Sequence, residues 1–473
     1  MKYNPRLDGL RGVAVLLVMC FHLGVPGFGN GAIGVDIFFV LSGYLISNVL
    51  LNRQDGLSEF YWRRFLRLFP AMALVCLALL AVRPFLTDPE QPLVDVLYGA
   101  LYVANWTRVW GPGDPRYLGH LWSVAIEEQF YLLWPAIFAT LVMFRRRTSV
   151  ALTALLVAAS IAWRLHLIDA GAPIARIYNG SDTRADQLLI GCVLALCIGQ
   201  GSGHSLVERW TRRLAPSMLS CLVLLTTLVA SDAPWMLAFG HTAAALATAV
   251  LLAAVAQPAP GWLQSCLAWR PLIGVGKISY GLYLWHYPVS LMLLLGGVPL
   301  LVRIVLTFVI SFIAAALSFR FVERPILRFR VSVPPERAKV LGAAAATLSL
   351  VGIAVGVSAY WRADIEFALD PTPMQIEAYG PESLTPGGIY NTQPDGRSAF
   401  WFRGSRRIPK DTRLVIGGQV QPAASINGSI LVVVGPEIHG IGTMSMQFIG
   451  PDGQPRSTSV PLQIRLLPKL GGS

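Results

Sequence analysis

Residues 3–51, YNPRLDGLRGVAVLLVMCFHLGVPGFGNGAIGVDIFFVLSGYLISNVLL, decide how the rest of the chain is read. Two apolar runs flank a short Gly/Pro turn, and each run is long enough to be a membrane-spanning helix. The stretch also carries ionisable groups where lipid tolerates them poorly. Arg11 stands at one mouth of the first helix and His22 near its other end. At 1.5 Å and 100° per residue the two are roughly 16 Å apart along the axis and about 20° apart around it. They share one stripe, one near each membrane face. Asp36 opens the second helix and returns to the depth of His22. A carboxylate beside an imidazole fixes its tautomer and stabilises the imidazolium, which leaves the other nitrogen as a general base or nucleophile. A histidine and an aspartate at membrane depth are functional candidates by default. The plainer reading of His22, an imidazole satisfied by a backbone carbonyl, suits a soluble core better than a span.

Composition agrees. The 473 residues are 54% hydrophobic and only 14% charged, with mean hydropathy +0.56, which excludes an ordinary soluble domain. The net charge of +12 is gathered in particular loops, so it is no footprint for a nucleic acid. The first apolar run lacks an A-x-A cleavage site and reads as a retained span. All six cysteines lie in or beside apolar runs, which predicts neither a disulfide framework nor a Cys-based metal site.

Basic clusters recur at alternate joints between apolar runs: Lys2, Arg6 and Arg11; Arg53, Arg63, Arg64 and Arg67; Arg145 to Arg147; Arg209, Arg212 and Arg213; and the segment 319–339. The positive-inside rule places those joints and the N-terminus in the cytosol. Both ends of the weaker run VLYGALYVANW (96–106) then face outward, so it is expected to be re-entrant or interfacial. The expected organisation is an all-α polytopic domain over 1–332, a further span over 333–363, and an extracytoplasmic all-β sandwich over 364–473. The last rests on short β-rich runs such as SAFWFRG and SILVVVG, separated by Gly, Pro, Asn and Asp.

Several motifs carry chemistry. In YWRRFLRLFP, Arg64 and Arg67 stand three apart on one helix face, at the same membrane face as Arg11. Guanidiniums so grouped suit phosphates, although a basic anchor at the membrane surface is the plainer reading. In HLWSVAIEEQFYLLWP, His120 marks the outer end, beside Trp122 and Ser123, and Glu127 lies on the same face about two turns deeper. In SYGLYLWHYP, Ser279, Tyr283 and His286 share a face; hydrogen-bonding glue between helices is the alternative. Arg184 and Asp186 in SDTRADQ and Glu323 in VERP are further candidates, or structural ion pairs and helix locks.

Taken together and in this order, R-x10-H, GVDIFFVLSGYLI, R-x-x-R, HLWSVAIEEQFYLLWP, DTRADQLLIG, SYGLYLWHYP and FVERP resemble the integral-membrane acyltransferases of family 3, which O-acylate bacterial surface glycans and some secreted metabolites. The resemblance covers roughly residues 5–330 and implies a membrane domain of about ten helices. It implies that His22 is the essential histidine, Arg11 its paired basic residue, Arg64 and Arg67 the holders of acyl-coenzyme A, and Glu127 the acid of W-S-x-x-x-E. No metal is implied. Relatives often add a hydrolase-like domain with a Gly-Asp-Ser nucleophile, which this C-terminal region lacks; it is similar instead to an immunoglobulin-like IPT/TIG domain.

The expected activity is transfer of an acyl group, acetyl being the commonest, from cytosolic acyl-CoA to a hydroxyl of a surface or secreted glycan, across the bacterial inner membrane. In that scheme Asp36 orients His22, and the acceptor enters from outside near His120 and Glu127. A transporter of a glycan-lipid or anionic solute would use the same charged residues as a pathway, but the spans show no obvious two-fold repeat.

Overall fold

The computed structural model describes residues 3–328, apart from 53–55, 87–90, 111–115, 199–203, 232 and 257–260, together with strand-bearing segments between 370 and 464. The expected span over 333–363 lies outside the described residues. The chain divides into two compact units, Met1–Val109 with Pro115–Gly352, whose described residues are helical, and Trp110–Asp114 with Ile353–Ser473, which holds the described strands.

The helical unit starts with α1 (Pro5–His22), where Pro5 supplies the first turn and the Asn4 side chain caps it by accepting the Arg6 N–H. Gly24 and Gly27, both at positive φ, then turn the chain toward α2 (Ile33–Leu51). The order continues with α3 (Leu57–Val82), α4 (Gln91–Ala100), α5 (Ala104–Trp110), α6 (Trp122–Leu141), α7 (Arg146–Asp169), α8 (Ile174–Asn179) and α9 (Ser181–Ile198). Then come α10 (His204–Leu228), α11 (His241–Ala256), α12 (Trp262–Leu267), α13 (Arg270–Lys277), α14 (Ser279–Leu295), α15 (Leu300–Ser318) and α16 (Arg324–Arg328). Helices α13 and α14 meet at 69°.

Among the described residues, five helices are long and apolar enough to cross a membrane, or six if the bent α13–α14 pair is one span. That is fewer than the expected ten. Helices α1, α6 and α9 are of spanning length but carry Arg6, Asp8 and Arg11, Glu127 and Glu128, or Asp182, Arg184 and Asp186. Several of these groups, Arg11, Glu127 and Arg184 among them, are the candidate site residues. The weak run 96–106 forms the end of α4 and the start of α5. At about 15 Å and 10 Å these helices are too short to cross a roughly 30 Å hydrocarbon core. Between them Tyr102 takes a left-handed φ of 53°, and its carbonyl accepts from Gln129 Nε2 of α6 at 2.8 Å.

The centre is a seam of small residues. A Cβ added at Gly43 of α2 would collide with the Leu188 carbonyl of α9, and one at Gly276 of α13 with the Asp8 carbonyl of α1. Backbones approach this closely only where side chains are missing, the usual device for packing helices in lipid, where no hydrophobic force drives them together.

The β-rich unit has a four-stranded sheet and a five-stranded one. The first takes β1 (Ile376–Gly380), β3 (Ala399–Gly404), β7 (Ile430–Val434) and β6 (Ser425–Asn427), in that order. The second takes β2 (Ser383–Leu384), β9 (Val460–Ile464), β8 (Gly442–Ile449), β4 (Arg413–Ile416) and β5 (Gln419–Gln421). All pairs are antiparallel except β2 with β9. Alternating residues bury Leu414, Ile416, Met446, Phe448 and Leu462, and Phe402 of the first sheet meets Phe448 of the second edge-on at 4.9 Å.

Candidate active site

Three imidazoles converge in the helical unit. His22 ends α1, His120 sits in the 3-10 turn Gly119–Leu121 that leads into α6, and His286 is on α14. His22 is half-buried, while His120 and His286 are buried. His22 Nδ1 lies 2.9 Å from His286 Nε2, and His286 Nδ1 lies 3.1 Å from the Leu282 carbonyl. A carbonyl only accepts, so His286 Nδ1 carries a proton, and in the neutral ring Nε2 is an acceptor. His22 Nδ1 must then donate, and His22 Nε2 keeps its lone pair. The second imidazole holds the first in the tautomer a base or nucleophile needs. Tyr287 packs edge-on to His22 at 5.1 Å and stacks on His120 at 4.8 Å. Tyr283, one turn from His286, donates through its hydroxyl to the His120 carbonyl at 2.8 Å and lies 2.6 Å from Ser123 Oγ. Ser279, one turn further back, is buried at the start of α14.

The expected partner of His22 is engaged elsewhere. Asp36 Oδ1 accepts from Arg184 Nη2 at 2.8 Å, and Oδ2 is 3.0 Å from His241 Nδ1; all three side chains are buried. Helices α9 and α11 stand against α2 and supply a fixed cation and a second imidazole that satisfy the carboxylate. Arg184 lies among Tyr178, Trp122 and Phe39, at 5.0, 5.7 and 5.9 Å from the ring centroids. Asp186 pairs with Arg164 of α7 at 3.0 Å and accepts from Thr242 at 2.5 Å.

Glu127 makes its hydrogen bonds to other groups. It accepts from Ser42 at 3.1 Å and from Tyr131 at 3.3 Å, in the group built around Arg64. Seven residues of helix carry it about 10 Å deeper than His120. The Arg64 guanidinium stacks 3.3 Å over the Tyr131 ring and stands 3.5 Å from Glu128. Arg11 pairs with Asp8 at 3.4 Å. Arg67 is exposed and makes no hydrogen bond or ion pair among the described residues. Arg11 and Arg64 both lie within its electrostatic reach. Glu323 accepts from Ser318 at 2.9 Å, as a lock on its own helix end would.

Asp95, His241, Arg164 and Tyr287 escaped the sequence reading. The rule that singled out His22, an ionisable group inside an apolar run, also fits His241 and Arg164. Asp95 gave no such signal. On α4 its carboxylate accepts the backbone N–H groups of Arg116, Tyr117 and Leu118 at 3.1, 2.5 and 3.0 Å. Burial pushes that carboxyl up from its ordinary range, and the Gln91 and backbone donors oppose the shift.

Residues 4–322 match the family model described as an acyltransferase domain, type 3. The chain belongs to the acyltransferase 3 family. Among curated proteins it is similar to the peptidoglycan O-acetyltransferase OatA of Listeria monocytogenes, 36% identical over 349 residues, which are 69% of this chain and 56% of that protein. It is likewise similar to the O-acetyltransferase OatA of Staphylococcus aureus, 32% identical over 352 residues, 69% of this chain and 57% of that one. The chain thus spans a little over half the length of these relatives. No solved structure matches it. The first relative is named for peptidoglycan, a different polymer from the lipopolysaccharide that a surface-glycan reading also admits.

Proposed function

We propose that this chain is a membrane O-acetyltransferase that moves an acetyl group from acetyl-CoA on the cytosolic side to a hydroxyl of a cell-wall glycan outside. The observation that carries the reading is His22 held by His286 with its Nε2 lone pair free, on the same helix as Arg11. Arg67, with Arg11 and Arg64 beside it, grips the coenzyme phosphates. The extended pantetheine arm follows the face of α1 and brings the thioester to His22. The acceptor hydroxyl comes from the other side and gives its proton to His22 Nε2 as it attacks, directly or after a brief stay of the acyl group on His22. The glycan acceptor, inner-membrane location, cytosolic N-terminus and outward-facing β unit are parts of the same reading. In it the β unit is an acceptor-positioning module of immunoglobulin-like type.

A carrier for a glycan-lipid or anionic solute would release no thiol. Membranes holding the protein should therefore consume acetyl-CoA and release free coenzyme A thiol when given a peptidoglycan disaccharide fragment. His22→Ala is expected to reduce that rate about 10²–10⁴-fold, the usual contribution of a general base, while acetyl-CoA still binds. Arg67→Ala is expected to raise KM for acetyl-CoA with little change in kcat. If both variants bind and turn over like the parent, the assignment is wrong.

A further inference from the structure

With His22 as the base, the charge that develops on the acyl oxygen still needs a partner. His120 is built to be one. Its side chain is 1% exposed, and among the described residues neither Nδ1 nor Nε2 has a partner within hydrogen-bond geometry. A buried imidazole with both nitrogens unmet is an expensive thing for a fold to keep.

The backbone that carries it is clamped from three sides. Asp95 takes the N–H groups of Arg116, Tyr117 and Leu118, just before it. Arg108 donates to the Gly119 carbonyl at 3.2 Å, and the Tyr283 hydroxyl donates to the His120 carbonyl at 2.8 Å. The ring is stacked flat on Tyr287, the same tyrosine whose face meets the edge of His22 or the reverse at 5.1 Å, and it stands 5.5 Å from His286. These contacts fix where His120 is; no group among the described residues meets hydrogen-bond geometry at its nitrogens, and the backbone of Tyr283 and Leu284 is the nearest to doing so.

We infer that His120 is a second catalytic imidazole whose ring N–H donates to the acyl oxygen of the thioester as it becomes an oxyanion. The inference rests on the acyl-transfer reading above. The acceptor oxygen bonds to the carbonyl carbon while its proton passes to His22 Nε2. His120 keeps its own proton and holds the oxyanion. The C=O bond re-forms as the C–S bond breaks, and sulfur leaves with that electron pair and takes the proton from His22 as a thiol. The donor is already in place before charge develops, so no reorganisation is needed at that moment.

The test uses the full chain in lipid nanodiscs with acetyl-CoA and a peptidoglycan disaccharide fragment, reading thiol release, acetyl-CoA binding and the melting temperature. His120→Ala should lower kcat about 10²–10³-fold, the usual effect of losing one oxyanion donor, with KM for acetyl-CoA within about threefold of the parent. His120→Gln, whose amide N–H can donate, should recover at least about tenfold of that loss. Parent-like kcat in His120→Ala overturns the inference. So does a His120→Gln variant that folds and binds acetyl-CoA yet has a kcat more than about 10²-fold below the parent; this arm is read against the parent and needs no folded alanine variant. Parent-like turnover in His22→Ala would instead defeat the acyl-transfer reading, whereas an inert His22→Ala beside a fully active His120→Ala defeats the present inference alone.

Discussion

An imidazole can be oriented by any acceptor placed against its Nδ1, and here that acceptor is another imidazole. His286→Leu removes it and frees His22 to rotate or to protonate at the wrong nitrogen. His286→Gln keeps an oxygen near the place of Nε2 that can accept from His22 Nδ1. The expected outcome is a fall in kcat of about 10²-fold for His286→Leu, with acetyl-CoA binding retained, and recovery to within about tenfold of the parent for His286→Gln. Thiol-release kinetics on the pair of variants check this; equal losses in both would mean that His286 only fills space. His22, His120 and His286 were each legible, because an ionisable group in an apolar run stands out in the sequence alone. Their mutual pairing was not. Helix geometry alone puts Asp36 at the depth of His22, and nothing local indicated that Arg184, 148 positions away, would claim it.

Helices α2, α9 and α11 are tied by that claim. The Asp36–Arg184 contact lies between side chains that are 0% and 1% exposed, so deleting the carboxylate leaves a buried cation without its counter-charge. Asp36→Ala is expected to destabilise the folded protein by about 3–5 kcal/mol, read as a lower melting temperature in detergent. A residue that merely oriented His22 would leave stability near the parent value while activity fell, so the two roles separate cleanly. At this scale the sequence was informative about which runs are apolar and where the basic joints lie. It was less so about length and count, because the charged helices α1, α6 and α9 look unlike ordinary spans. The short pair α4–α5 followed from charge bookkeeping at its flanks, whereas its break at Tyr102 depends on Gln129 of α6, a contact that no local pattern announces.

Across the whole molecule, the family match covers 4–322, and the β unit falls beyond it. The alternating runs after residue 364 foretold strands, and nine are described. Their order across two sheets was out of reach, since register is chosen by long-range pairing and not by the alternation itself. In the helical unit, the glycine contacts that seat α2 on α9 and α1 on α13 have a consequence for how substrates travel. Backbone resting on backbone has no slack for gliding, so these four helices form a stator. A carrier whose moving halves met along either pair would have to part it; a group-transfer centre would not, because both reactants come to it. Covalently cross-linking α2 to α9 is therefore expected to leave thiol release unchanged, and a turnover that stalls on cross-linking would mean that the seam opens during the cycle. Whatever yields to admit donor and acceptor must belong to the moving parts hung on that frame, the side chains and helices outside it.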